Sequence, residues 1–480
     1  MKTCPFCNTP IESHWSYCRN CNKPLITNLD DSLRKDLKLT YDGQEVQHLD
    51  LEENGENFDS IIINDKEIEQ RINEIDETLE RKEVLGEAIP GGLILEKSSL
   101  YYKKRDLSNA LKNLELAIKN FEKEKDLLNI AICHNEIGII QEDYGFFDQA
   151  IYHFNRSLEI LRELKDNHKI IKILNNLGNV YFIIKDLEQS YSYYEKALQL
   201  SKQENFVFEK IKSSSNLVEV LFLLKDYGRI KEILRENAEF FKENGDIYGI
   251  IQTEIKYGKL YYLMGENYQE SFQYLMNALN LINSLKEKIS IYIRAKLEWE
   301  CQFLLGKIYH FQNNHTSAEN LFLQSLESIR IFEIGDSIKE GEILENLAEL
   351  YISKGDIERA IEFYELTSEI FYKFGDNNKN AELKFKLGKI YLEFEEDQLQ
   401  AINLFEEALT IYEDLRSIKE CALIFHKLGD IYLQRGMIDS AMLNFENARK
   451  NFQELQDDYN VKLLDEKIES LKYQNNNYML

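Results

Sequence analysis

The residues of this chain best equipped for chemistry are four cysteines near its start. Cys4-x2-Cys7 and Cys18-x2-Cys21 form two C-x-x-C pairs with ten residues between them. Four thiolates at that spacing can surround one Zn2+ tetrahedrally. Such a shell leaves no open coordination position, so the metal expected here is structural. Asn8 and Asn22 follow the second cysteine of each pair, where a metal knuckle turns sharply and asparagine tolerates a left-handed backbone. A segment this short has no core of its own, so zinc binding and folding are expected to be one event. A redox role is the competing reading of C-x-x-C, and it needs a βαβ setting that the surrounding residues do not provide.

Elsewhere the chain offers little that could act on a substrate. It has no phosphate-cradling G-x-x-x-x-G-K-[ST], no G-x-G-x-x-G opening a helix after a strand and no H-E-x-x-H. Its eight histidines are scattered. Where Cys133 adjoins His134, neighbours on a helix face different ways, which disfavours a nucleophile–base pair. Cys133, Cys301 and Cys421 stand singly in helical stretches and are expected to pack as small apolar groups. The reading is therefore non-enzymatic. With no apolar leader visible and no disulfide framework, a reducing cytoplasm is the expected setting. No run of eighteen apolar residues exists, so no membrane span is expected.

The 480 residues carry a formal net charge of −26, unevenly spread. Residues 1–27 hold Lys2, Arg19 and Lys23 against Glu12, whereas residues 28–90 hold 19 acids against 7 bases. Such a surface repels phosphate backbones, so nucleic acid is disfavoured as a partner except locally, through the basic first segment. Residues 28–65 lack a helical period and are dominated by Asp, Glu, Asn and Gly, as in an acidic flexible linker. Ile68, Ile72, Ile75 and Leu79 then predict an amphipathic helix within a segment, 66–89, that caps the helical region starting at residue 90. A membrane-surface helix is the alternative, against which its acidic polar face argues. All four prolines lie at or before Pro90. The rest, rich in Leu, Ile, Glu and Lys, reads as helix throughout.

What must position any binding residue is a repeat. Leu177-Gly178-x-x-Tyr181 recurs as Leu305-Gly306-x-x-Tyr309, Leu387-Gly388-x-x-Tyr391 and Leu428-Gly429-x-x-Tyr432. The small position falls at Ser98, Gly138, Gly178, Val218, Gly258, Gly306, Ala348, Gly388 and Gly429, in steps of 40, 40, 40, 40, 48, 42, 40 and 41. After it come a small residue, an aromatic and another small residue, such as Ala441, Phe445 and Ala448 after Gly429. Fixed-period self-similarity of this kind marks a solenoid, in which each hairpin buries its apolar face on the next. Leu174, Leu177 and Tyr181 share one helix face, and small residues such as Gly178, Ser190 and Ala197 let two antiparallel helices approach closely. Lys185-Asp186 ends one helix and can cap the next; Gly145, Gly265, Gly355 and Gly436 stand at comparable joints. The 48-residue step predicts two helices each extended by a turn.

The pattern resembles the tetratricopeptide repeat, whose motif has a small residue at position 8, tyrosine at 11, alanine at 20, an aromatic at 24 and alanine at 27. The period is 40 rather than 34, the usual closing proline is missing, and second helices are expected to stop at Gly245-Asp246, Gly335-Asp336 and Gly375-Asp376. That is similar to the long-period class seen in kinesin light chain. Residues 1–27 resemble a short zinc ribbon. Together these resemblances imply an all-α fold: a right-handed superhelical solenoid of antiparallel helix pairs, about nine units over 90–456. The ribbon (1–27), linker (28–65) and capping helix (66–89) precede it. A C-terminal capping helix (457–473) and a disordered tail (474–480) come after it.

In this family the first helices line the concave face, mainly through positions 2, 5, 9, 12 and 13. Carried onto this sequence, position 5 gives Asn135, Asn175, Ser215, Ile255 and Phe303, and position 9 gives Ile139, Asn179, Glu219, Lys259 and Lys307. Position 2 gives Lys172, Lys212 and Gln252; position 12 gives Phe182, Phe222, Tyr262 and His310. Two readings stand. The aromatics pack against neighbouring units and the lysines are solvated, or these rows form a groove. In the groove Asn135, Asn175 and Asn179 would bond an extended peptide's backbone beside Tyr262, and Lys172, Lys212, Lys259 and Lys307 would attract acidic side chains or a carboxylate. The chain is read as a scaffold or adaptor that captures a protein or peptide there and docks a second component through the ribbon. The alternative is a peptide-responsive regulator whose ribbon contacts nucleic acid, through Lys2, His14, Trp15, Arg19 and Lys23, or contacts a transcription or signalling partner.

Overall fold

The computed structural model describes residues 2–3, 10–11 and 65–478, apart from 266–267, 286–287, 333–336 and 395–396. Cys4, Cys7, Cys18, Cys21 and the acidic linker up to residue 64 lie outside the described residues. β1 (Lys2–Thr3) and β2 (Pro10–Ile11) pair antiparallel, Lys2 with Ile11 and Thr3 with Pro10. The described residues also form twenty helices, and the chain divides inside the tenth into two compact units, at residue 253.

The amino-terminal unit starts with α1 (Asp65–Val84), followed by hairpins α2 (Gly91–Lys103)/α3 (Leu107–Glu124), α4 (Leu127–Asp143)/α5 (Phe147–Leu164), α6 (Asn167–Ile183)/α7 (Leu187–Gln203) and α8 (Val207–Leu224)/α9 (Tyr227–Glu243). α1 buries Ile68, Ile72 and Ile75 against Leu100, each worth about 1.5–3 kcal/mol when fully removed from water. In α6/α7 the reason for the small residue is geometric. A Cβ on Gly178 would lie 2.5 Å from the ring of Tyr194, which is 3% exposed. Beside it the Ser190 hydroxyl donates to the Gly178 carbonyl at 2.9 Å, and Leu174, Leu177 and Ala197 complete the seam.

Many joints share one pattern, in which a left-handed residue ends one helix and an aspartate caps the next; Phe146, Phe206 and Met437 stand at the cap position without a side-chain bond. Lys165, Lys185 and Lys225 have φ of 57°, 66° and 59°. Asp166, Asp186 and Asp226 then accept from the backbone N–H three residues on. A lysine in that conformation costs about 1–2 kcal/mol, and an aspartate N-cap returns about 1 kcal/mol, so the joint is close to neutral and hairpin packing decides. Glycine is therefore not required at the ends of second helices. Gly245 and Gly375 occupy the left-handed position as expected, but Lys125, Lys165, Asn205, Arg416 and Gln456 do the same.

α10 (Ile247–Met264) pairs with α11 (Tyr268–Ser284). The carboxyl-terminal unit, which begins within α10, continues with α12 (Ile291–Phe311)/α13 (His315–Phe332), α14 (Ile338–Lys354)/α15 (Ile357–Lys373), α16 (Asn377–Glu393)/α17 (Gln398–Asp414), α18 (Ile418–Gln434)/α19 (Ile438–Glu454) and α20 (Asp458–Tyr478). The 48-residue step is absorbed differently from expectation. Only α12 is lengthened, to 21 residues, while α11 keeps 17; the remainder lies in the 285–290 connection, where Ser290 caps α12. α20 buries Leu464, Ile468 and Leu471 against Phe445 and Phe452. Its helix runs to Tyr478, past the 473 boundary expected from sequence, because neither proline nor glycine interrupts the stretch. Among the described residues no helix is long and apolar enough to cross a membrane.

Replacing Gly178 by alanine is expected to destabilise the amino-terminal unit by about 1–3 kcal/mol, because the enclosed Tyr194 ring cannot yield; the gain of about 1 kcal/mol in helix propensity is the smaller effect. Urea unfolding checks this. A midpoint at or above that of the parent would show that the seam has room.

Candidate functional site

The residues picked out for a groove divide between the units. In the amino-terminal unit the amides join neighbouring repeats. Asn176 donates to Asn135 Oδ1 at 2.9 Å, and Asn135 donates to Glu136 at 3.0 Å. Asn175 is 2% exposed and donates to Ser213 Oγ at 2.9 Å. Asn175 is thus a contact between α6 and α8 and not a surface for a peptide backbone, which corrects the expectation. Its repeat position falls on the seam, and Ile255 and Phe303 at the same position are buried too. Asn179 is half-buried and accepts from the Tyr194 hydroxyl at 2.6 Å. Lys172 and Lys212 lie exposed on α6 and α8.

In the carboxyl-terminal unit the structure brings Lys259, Tyr262 and Lys307 into one neighbourhood, together with charges that sequence reading passed over. Four first helices each present residues at i, i+3 and i+7 or close to it: Lys256 and Lys259 on α10; Glu300, Phe303 and Lys307 on α12; Glu342, Glu345 and Glu349 on α14; Lys379, Glu382 and Lys386 on α16. Two lysine–glutamate–lysine clamps result. Lys256 and Lys259 reach Glu300 at 3.3 and 3.1 Å. Lys379 and Lys386 reach Glu345 at 2.9 and 2.6 Å. Burial works against the carboxylate of Glu300, but the two ammonium groups, Lys256 foremost, override it and hold the pKa below the ordinary range. Burial likewise opposes the charge on Glu345, and Lys386 and Lys379 overcome it. The lysines of this face are therefore largely answered from within. The signal was available: repeat positions 2, 5 and 9, carried one unit further than Lys307, fall on Glu342, Glu345 and Glu349.

Lys307 stands apart from this pairing. Its ammonium lies 5.2 Å from the ring centre of Tyr262 and 5.1 Å from that of Phe303. Among the described residues no carboxylate is within ion-pair distance of it. Burial pushes its pKa down, while Glu342, Glu349 and Glu345 pull the other way. Next to it His310 Nε2 lies 3.2 Å from Ser353 Oγ.

Other titratable groups are accounted for by packing. Cys133, Cys301 and Cys421 are buried free thiols, and burial pushes Cys133 up to about 12 and Cys421 to about 11, so none is a thiolate near neutrality. Glu142, which sequence reading did not single out, is pushed up to about 7 by burial and by Asp143. His134 turns from its cysteine neighbour to His153, Nδ1 to Nδ1 at 3.0 Å. Among the described residues no group of three or more His, Cys, Asp or Glu could hold a metal.

Two stretches of the chain match family models described as tetratricopeptide repeat: residues 339–414, which span α14 to α17, and residues 171–204, which span α6 and α7. These two stretches carry tetratricopeptide repeats. No curated protein matches it. Solved structures with a similar fold include the apo form of the quorum sensor NprR from B. thuringiensis, at 15% identity and TM-score 0.49, covering 81% of this chain and 99% of that one. A Rap protein complexed with competence and sporulation factor gives 15% and 0.47, covering 74% and 99%. A tetratricopeptide repeat protein from Parabacteroides merdae gives 16% and 0.45, covering 61% and 98%.

The His134–His153 contact sets a pH dependence. Burial, then His153 and Arg156, push His134 down to about 4; burial lowers His153, with Glu115 opposing. The unfolded chain takes up these protons first, so the stabilisation is complete above the unfolded pKa of about 6.5 and is lost as pH falls through the folded value. Urea unfolding at about pH 7.5 and about pH 5 is expected to differ by about 1–2 kcal/mol more in the parent than in a His134→Phe, His153→Phe variant, after allowing for partial exposure. Equal pH dependence in both would exclude the pair as its source.

Proposed function

We propose that the chain is a non-enzymatic scaffold that holds a protein or peptide against the first-helix face of its repeats and docks a second component through a zinc ribbon at residues 1–27. The observation that carries this reading is a polar, half-buried side chain recurring at one repeat position. Asn179, Glu219, Lys259 and Lys307 each follow directly on the small or apolar residue at the hairpin seam. One helical step rotates about 100°, so a residue after the seam sits at the margin of its hairpin, where Asn179 still accepts from Tyr194 of α7. Apolar side chains would pack there as well, and a polar pair within each unit, Asn179 with Glu219 and Lys259 with Lys307, supports a surface that meets another molecule. A regulator whose ribbon touches nucleic acid remains the second reading, favoured by the basic balance of residues 1–27.

The zinc proposal rests on the donor set. Cys4, Cys7, Cys18 and Cys21 are four thiols at knuckle spacing, and β1 and β2 pair on either side, in sequence, of the first two. As thiolates they would hold the ion in a closed shell, and the ion would supply folding free energy to a segment without a core.

The test compares partner capture by three full-length proteins: the parent, a Lys212→Glu, Glu219→Gln variant, and a Cys4→Ser, Cys7→Ser variant. The face variant is expected to lose one set of partners and the cysteine variant a different set together with its single zinc ion, at unchanged helical melting. Identical partner sets from all three would remove the scaffold reading.

A further inference from the structure

We infer that the face built by α10, α12 and α14 selects a polypeptide segment of mixed charge, whose carboxylate is taken by Lys307 and whose ammonium or guanidinium is taken by Glu342. This rests on the scaffold reading and specifies what that face recognises.

The two clamps consume the neighbouring charges: Glu300 answers the lysines of α10, and Glu345 answers those of α16. Lys307 and Glu342 lie between them on facing helices and interact electrostatically. Neither side-chain charge has an ion-pair or hydrogen-bond partner among the described residues. Lys307 is retained over the rings of Tyr262 and Phe303, which explains why the two do not close on each other. Lys307 is half-buried, and that burial lowers its pKa. Glu342 is exposed, so a ligand can reach it.

Charge complementarity decides the class of occupant. A purely acidic segment would reach Lys307 but also face Glu342, and a purely basic one would reach Glu342 but also face Lys307. A segment with an anion and a cation on either side of an apolar residue supplies both missing partners and sets the apolar residue beside the half-buried Tyr262. The clamps on either side hold the helices, so little ordering is required on binding.

The experiment uses the full chain and three dye-labelled, end-blocked peptides of equal length, each with a central leucine. One has two glutamates flanking the leucine, one two lysines, and one a lysine and a glutamate; the last is made in both orders. Fluorescence anisotropy is expected to show one order of the mixed peptide binding at least about tenfold tighter than the acidic and basic ones. Lys307→Met and Glu342→Gln should each remove that preference, and Lys307→Arg, which keeps the charge, should retain it. Circular dichroism melts confirm that each variant is folded. Equal binding of all peptides, binding of none, or an unchanged preference in folded Lys307→Met and Glu342→Gln would overturn the inference. The scaffold reading would survive any of these if the Lys212→Glu, Glu219→Gln variant still loses its partners, so the two failures are distinguishable.

Discussion

The contact on which each unit depends is an aromatic ring lying on bare helix backbone. At Gly138, Gly178, Gly306, Gly388 and Gly429 an added Cβ would come within 2.5–2.7 Å of the ring of Phe154, Tyr194, Phe322, Phe405 or Phe445. The five rings are buried and have nowhere to move in an interior packed to solid density. One residue therefore fixes how closely two helices approach. Where the ring gives way to Leu234, the seam position is filled by Val218, so lost volume on one helix is returned on the other. Gly258 against Leu275 is the exception, at 2.5 Å.

Fixing the seam also fixes the surface. The residue after the glycine is rotated by about 100° and lies on a ledge at the hairpin's edge, half-buried at Asn179, Lys259 and Lys307 and exposed at Lys389. The repeat thereby separates two tasks. Seam positions admit small residues, rings and leucines, while ledge positions are free to carry an amide in one hairpin, a carboxylate in the next and an ammonium group in the two after that. The joints reinforce this separation. Where a left-handed lysine and a capping aspartate close a helix, as at Lys185-Asp186 and Lys225-Asp226, the 40-residue step is kept.

The seams and joints were legible in the sequence because they are local. A glycine and a tyrosine sixteen residues on, or a Lys-Asp pair, report on one hairpin and need no knowledge of its neighbours. Asn175 was misjudged for the opposite reason. Its repeat position is the right one for a surface amide, but the residue that claims it, Ser213, lies 38 positions away. Glu300, Glu345 and the lysines bound to them escaped for the same reason, since a lysine that attracts an acidic guest and a lysine already held by a glutamate read identically along the chain. The length of α12 was legible only as a surplus in spacing, which did not reveal how much would become helix and how much connection. The four amino-terminal cysteines speak through their spacing alone, because their residues lie outside those described.

The clamps alter the meaning of the lysine-rich repeats. A net charge of −26 with lysines gathered on one face invites the idea of an acidic ligand drawn to a basic patch. On α10 to α16 that patch does not exist as a free field, because Glu300 and Glu345 each take two lysines, and a clamped ammonium contributes little to attraction at a distance. An acidic guest would have to displace Glu300, which is held by two ion pairs with side chains only 15–25% exposed. Breaking such a group by removing one partner costs about 3–5 kcal/mol when it is buried, more than a single exposed guest carboxylate returns. Selectivity on this face consequently falls to the charges the clamps leave over, and these are of both signs. The same arithmetic explains why the clamps persist beside a binding surface: by neutralising their neighbours, they let two unpartnered groups determine what the face accepts.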